Sequence, residues 1–221
     1  YFNVRTTGAG RAVDPRRWED LRQPRDVPEG TYIGLGFDGS ISRDATVLRA
    51  CTADGYSFVI KVWQRPRDAV EWTVNRTEVH QLVAETFARY RVGRMYCDPP
   101  KWHSEIEQWA SLYGEDVVVA FDTNQARRFA PAVDRWRTAI AEGSHTHDGD
   151  RLTTEHVLSS VLVKVRLADD ADDQRTHYVL KKGEDGGRID GAVADVLALE
   201  AAKTMPDDGV SVYESRGLLV I

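Results

Sequence analysis

Residues 31–39 (TYIGLGFDG) alternate and then run apolar, the pattern of a buried strand, and the run finishes on a carboxylate. Residues 45–53 (ATVLRACTA) and 56–64 (YSFVIKVWQ) have the same strand-like make-up. They are separated by Asp54-Gly55, a dipeptide that favours a tight hairpin. Three consecutive antiparallel strands are expected. The period then changes: Val70, Val74, Val79, Leu82, Val83 and Phe87 recur at roughly helical spacing and predict a helix over residues 68–90. Residues 94–100 (RMYCDPP) read as a short strand stopped by two prolines, which can neither continue a ladder nor enter a helix interior. The next stretch, KWHSEIEQWASLYG, reads as a helix with a glycine stop, and DVVVAF (116–121) as a buried strand of the parallel type.

Beyond it, residues 130–143 predict a helix that ends on Gly143. Residues 153–165 fit either helix or strand, with the balance toward helix. Residues 169–174 read as an acidic solvated loop, 176–183 as a short strand entering a Gly-rich turn, and 188–204 as an amphipathic helix rich in Ala and Leu. Residues 1–30 read as a linker or arm with one helical turn, PRRWEDL, and 206–221 as a tail. The order β-β-β-α-β-α-β-α implies one mixed α/β sheet, antiparallel then parallel, with helices on both faces, over residues 31–205.

A chain of 221 residues with 42% hydrophobic and 29% charged positions is ordinary for one soluble domain with appendages. No apolar run is long enough to span a membrane, and the N-terminus has no signal-peptide core. The absence of an initiator Met points to a processed chain or an excised fragment. Cys51 and Cys97 sit in strand-like runs without metal-ligand spacing and are expected to be buried free thiols of a reducing cytoplasm. The formal charge of −6 argues against a generally basic nucleic-acid binder. It leaves room for a locally basic groove, and an acid cluster that holds cations would itself lower the net charge.

Three carboxylates occupy comparable places. Asp38 closes the first strand, Asp98 closes the fourth before Pro99-Pro100, and Asp190 opens the last long helix after a glycine-rich loop. Each alone also fits a turn or capping role. If strands one and four lie side by side and parallel, Asp38 and Asp98 project at neighbouring positions on the edge where open sheets bind ligands, and a helix starting there brings in Asp190. Bare anions would repel: two unit charges about 4 Å apart cost roughly 4 kcal/mol at an effective dielectric of about 20. Divalent Mg²⁺ or Mn²⁺ resolves the repulsion, since both prefer hard oxygen ligands, and two such ions can clamp the attacking and leaving oxygens of a phosphodiester.

The element order, with "GFDGSISRDAT", "MYCDPPKWHSEIEQW" and "GRIDGAVADVLALEAA" at those acids, resembles the ribonuclease H-like nuclease fold. More narrowly, it resembles the C-terminal nuclease domain of the large terminase subunit of tailed bacteriophages, over nearly the whole chain. The opening "YFNVRTTGAGRAVDPRRW" is similar to the connector leaving that family's ATPase domain, and no G-x-x-x-x-G-K-[ST] loop is present. The resemblance implies metal-dependent cleavage of double-stranded concatemeric DNA during genome packaging, in the host cytoplasm. The implied partners are an ATPase domain, a small terminase subunit and a portal. It assigns Asp38, Asp98 and Asp190 as catalytic ligands of two divalent cations. Asp195 is either a helix-surface acid or an accessory ligand. Asp44 either ligates through water or bonds Thr46 in a turn.

DNA would need local cations. Lys181, Lys182 and Arg188 flank the glycine-rich turn before Asp190, Lys101 follows Asp98, and Arg127-Arg128 follow the fifth strand. All six are candidate phosphate contacts or else solvated surface charges. Trp102 and Trp109 are expected in the core, and His145 and His147 in a solvent-exposed loop without a metal-ligating partner pair. Two other readings stay open: another enzyme of the same fold (resolvase, integrase or transposase), or a non-catalytic module that docks DNA or the portal.

Overall fold

The computed structural model describes residues 10–41, 44–66, 68–166, 176–184 and 186–208. The acidic loop at 169–174, residues 1–9 and the tail beyond 208 lie outside them. The described residues form a six-stranded sheet and a two-stranded ribbon, with helices on both faces of the sheet. Strands β1 (Tyr32–Asp38), β2 (Thr46–Thr52) and β3 (Tyr56–Trp63) are antiparallel, as the hairpin signal predicts. Strands β4 (Arg91–Cys97) and β5 (Val118–Ala120) extend the other side in parallel, and with the two-residue β6 (Thr146–His147) at the far edge the order is β5-β4-β1-β2-β3-β6. Strand one is central, between β2 and β4.

The pleat decides which helices cover which face. Ile33, Leu35 and Phe37 point to one face with Leu48, Met95 and Cys97. Helices α2 (Arg76–Arg89) and α3 (His103–Tyr113) cover this face, together with the buried Trp102 and Trp109. Gly34 and Gly36 point the other way, against α6 (Asp190–Thr204). A methyl group on Gly36 would stand 2.1 Å from the Ala194 carbonyl oxygen, and one on Gly34 would stand 2.3 Å from the Ala202 nitrogen. The helix therefore lies directly on the strand backbone. Gly36→Val is expected to lower stability by on the order of 3 kcal/mol or to prevent folding, read as loss of the cooperative thermal transition.

Several sequence expectations are corrected. Residues 188–204 do not form an amphipathic helix, because α6 is buried on every face from Asp190 to Ala202. It is sandwiched between the sheet and helices α4 (Ala126–Glu142) and α5 (Arg151–Leu158). The helix expected over 68–90 begins only at Arg76, where the Asn75 side chain accepts the Glu78 N–H, and Val70 is 92% exposed. The helix expected from residue 130 starts at Ala126 and carries Pro131 inside it. Residues 153–165 are not one helix. Helix α5 ends at Leu158, and Ser160 opens β7 (Ser160–Val165), which pairs antiparallel with β8 (His177–Lys182). The Ser160 hydroxyl donates to the Val157 carbonyl (2.6 Å), closing the helix end just where the run Val161-Leu162-Val163 favours a strand.

Residues 10–22, read from the sequence as part of a linker, pack into the domain. Asp14 caps α1 (Pro15–Asp20), whose Trp18 is buried with its ring stacked 3.9 Å from that of His147. Arg11 bridges to Val161. Both cysteines are free and buried, as expected.

Candidate active site

The register of the sheet puts the first two acids side by side. Phe37 pairs with Cys97 across the parallel β1–β4 ladder, and the Asp98 N–H donates to the Phe37 carbonyl (2.9 Å). Asp38 and Asp98 thus leave the same edge of the sheet on adjacent strands. Across the other ladder Asp38 pairs with Val47. Two residues before Val47, the Ala45 N–H lies close enough to the Asp190 carboxylate to favour its charged form. The third acid therefore reaches this edge from the first turn of α6, where the helix dipole favours an anion.

The environment opposes ionisation of all three. Burial pushes the Asp38 carboxyl well above the usual carboxylate range, and the charges of Asp190, Asp98 and Asp44 add to it against the nearby Lys182 ammonium. Burial, then Asp44, raises Asp190 to about 6, opposed by its own N–H, that of Ala45 and Lys182. Asp98 is raised by burial and by Asp122, although it accepts from Thr123, whose N–H lies 2.9 Å away. Desolvation is the leading cause in each case, and like charge the second for Asp38.

The acceptor capacity is left open. Asp190 Oδ2 is buried without a partner, and no hydrogen bond reaches the Asp38 carboxylate among the described residues. A buried lone carboxylate oxygen beside two further carboxylates is the donor chemistry that a hard cation neutralises. Among the described residues, no three His, Cys, Asp or Glu side chains are already closed around an ion position. The acids meet at charge–charge range, not in a finished coordination shell.

No protein-family model matches the sequence. The gene 13 protein of Mycobacterium phage L5 is 33% identical over 190 residues, which make up 81% of this chain and 31% of that protein. The chain spans about a third of that relative's length. The large terminase of bacteriophage HK97 superposes with a TM-score of 0.64 at 21% identity, covering 88% of this chain and 44% of that one. The large terminase nuclease of thermophilic phage G20c, determined with bound magnesium, superposes at 0.56 with 13% identity, covering 81% of this chain and 92% of that one. The fold is that of a phage large-terminase nuclease domain.

Within this terminase nuclease fold the other expected residues scatter. Asp44 does not bond Thr46: that hydroxyl donates to the Ser40 carbonyl (2.6 Å), and Asp44 instead pairs with Lys182 on β8. Lys181 is exposed and shares a cavity wall with Thr123, Phe129 and Val193. Lys101, in the turn after Asp98, holds a left-handed φ of 68°, unusual for a residue with a side chain. Arg127 and Arg128 open α4, and Arg128 donates to the Ala120 carbonyl (2.7 Å) with its guanidinium over Phe121. Arg188 belongs to a second cavity, described below.

Asp195 is neither a surface acid nor placed to ligate with the others. It is fully buried, with four donors on its two oxygens. Arg49 Nε (2.9 Å) and the Ser57 hydroxyl reach Oδ1, while Trp136 Nε1 and His145 Nε2, each at 2.8 Å, reach Oδ2. Arg49 and His145 hold its carboxyl far below the usual carboxylate range despite its burial. The histidines expected in solvent are buried with it. His147 Nε2 lies 2.8 Å from the Trp18 carbonyl, in β6 (Thr146–His147), which pairs in parallel with β3.

Several supporting residues escaped the sequence reading. Thr123 and the Ala45 N–H steady Asp98 and Asp190, and neither leaves a signal in composition. His156 accepts the Gly191 N–H on Nδ1 (3.0 Å), and burial and Arg188 push its ring down to about 4. Asp122 could have been found. It stands just past the end of β5, by the same strand-end rule that marks Asp38 and Asp98.

Proposed function

We propose that this chain is a divalent-cation-dependent endonuclease acting on double-stranded DNA during viral genome packaging, as the nuclease part of a longer protein that also carries an ATPase. The observation that carries this reading is the meeting of Asp38, Asp98 and Asp190 at one sheet edge, with a buried oxygen of Asp190 left without a partner. The magnesium in the G20c nuclease supports the choice of cation class. Asp38, Asp98 and Asp190 would hold two Mg²⁺ or Mn²⁺ ions. Bound there, the ions would make an attacking water more acidic and stabilise the leaving 3′ oxygen.

The chain's own groups do the positioning. The Thr123 N–H donates to Asp98 (2.9 Å) and orients that carboxylate before any ligand arrives, and the Ala45 N–H favours the charged form of Asp190. Lys182, paired with Asp44, places a positive charge beside them, and Lys181, Lys101, Arg127, Arg128 and Arg188 are proposed phosphate contacts that hold the duplex without reading its sequence. No helix of the described residues is long and apolar enough to cross a membrane.

The test is incubation of supercoiled plasmid with the purified chain and Mn²⁺, Mg²⁺ or EDTA. Nicked and linear products are expected with the cations and none with EDTA. Cleavage that persists in EDTA, or no cleavage with either cation, overturns the reading. Preference for a four-way junction over linear duplex would favour a resolvase of the same fold. Mn²⁺ should also raise the thermal midpoint, since a ligand at about 100 times its Kd adds roughly 2.7 kcal/mol.

A further inference from the structure

A cavity of about 600 Å³ opens on the β3 and α5 side of the acids, lined by Gln64, Arg65, Arg151, Glu155, His156 and Arg188 among others. Its position follows from the chain. Trp63 pairs with Thr46 at the edge of the sheet where Asp38 ends β1, so Gln64 and Arg65 leave β3 at that edge. Arg188 lies two residues before Asp190, and His156 holds the Gly191 N–H just after it. The cavity wall is thus continuous with the first turn of α6.

Its electrostatics point to an anion. Three guanidinium groups line it against one carboxylate, Glu155, which takes Arg151 at 2.6 Å. Arg188 Nε is buried without a partner, a donor withdrawn from water and left unused. No salt bridge or hydrogen bond neutralises Arg65 among the described residues. Guanidinium forks match phosphate oxygens, and the volume accommodates a phosphodiester with its water.

We propose that this cavity is a backbone-phosphate site, in which Arg188 and Arg65 bind a phosphodiester of the DNA strand flanking the one cut at Asp38, Asp98 and Asp190. The inference rests on the nuclease reading and deepens it. The acids then lie between two basic flanks: Lys181 and Lys182 on β8, and Arg65, Arg151 and Arg188 on the β3 and α5 side. Glu155 tempers the second flank by holding Arg151.

The experiment measures affinity of the whole chain for a fluorescein-labelled duplex of about 24 base pairs, in Ca²⁺ and over a range of NaCl. Arg65→Ala and Arg188→Ala should each weaken binding roughly tenfold and flatten the slope of log K against log salt by about 1. Glu155→Gln frees Arg151 and should tighten binding several-fold, a gain that no folding defect can mimic. Unchanged affinity and slope in folded Arg65→Ala, with no gain in Glu155→Gln, overturns the site. Plasmid cleavage by the same preparations separates the two readings. Wild-type chain that binds but never cuts removes the nuclease and leaves the cavity. Wild-type chain that cuts, with arginine variants binding as it does, removes the cavity and leaves the nuclease.

Discussion

Asp38→Asn is expected to abolish cation-dependent cleavage, by at least about a thousandfold, and at the same time to raise the thermal midpoint of the metal-free protein at neutral pH. The first effect follows from removing the acid that stands between the other two. The second follows from proton linkage. Asp38 and Asp190 have carboxyl values raised on folding, Asp190 to about 6, so the native state binds more protons than the unfolded chain between roughly pH 4 and those values. Stability therefore falls as pH climbs through that window. Taking one charge away should recover on the order of 1–3 kcal/mol at pH 7.5. The gain should shrink at pH 4.5, below the value to which Asp190 is raised. Mn²⁺ should raise the midpoint of the wild type and not of the variant. A variant that cuts normally, or that is less stable than wild type at pH 7.5, sinks the assignment of Asp38.

Asp195→Asn should behave in the opposite sense. Its charge is matched by Arg49 where both side chains are fully buried, and Asp148, 3.6 Å from the same guanidinium, is a weaker second partner. Breaking such a pair by removing one member costs about 3–5 kcal/mol. An amide cannot accept from all four donors, so Trp136 or His145 loses a partner as well. The carboxyl is held low in the folded state, so its contribution is present above the ordinary carboxylate value and disappears only in stronger acid. The deficit in urea midpoint should therefore be constant from pH 5 to pH 9, unlike the pH-dependent gain of Asp38→Asn. Joint replacement by Asp195→Leu and Arg49→Met should regain part of the loss. A folded Asp195→Asn of wild-type stability would contradict this account.

The positions of the three acids were legible because strand ends are legible. The period-2 run before Asp38, the prolines after Asp98 and the glycine-rich turn before Asp190 are local signals, and the parallel pairing of β1 with β4 is the topology that such an element order implies. Asp195 was not legible. Its partners lie on β2, β3, α4 and just before β6, between 50 and 146 residues away, and no short window of sequence contains any of them with it. The buried histidines were missed for a related reason: β6 has only two residues, too few to show a period. The arm misled through composition, since its Arg, Pro and Asp residues look solvated while one tryptophan and one leucine anchor it. The helix-to-strand change at Ser159-Ser160 was lost because a β-branched run followed a helical one without a glycine or proline between them.

Helix α6 rests with its main chain against two glycines of β1 and is enclosed on its other sides by α4 and α5. A rod so wedged has no room to slide or roll, and Asp190 rides on its first turn. The three carboxylates are therefore fixed to one another as parts of a single solid body. On the proposed nuclease reading, timing of the cut has to be imposed from outside that body, by what is carried up to the acids and when.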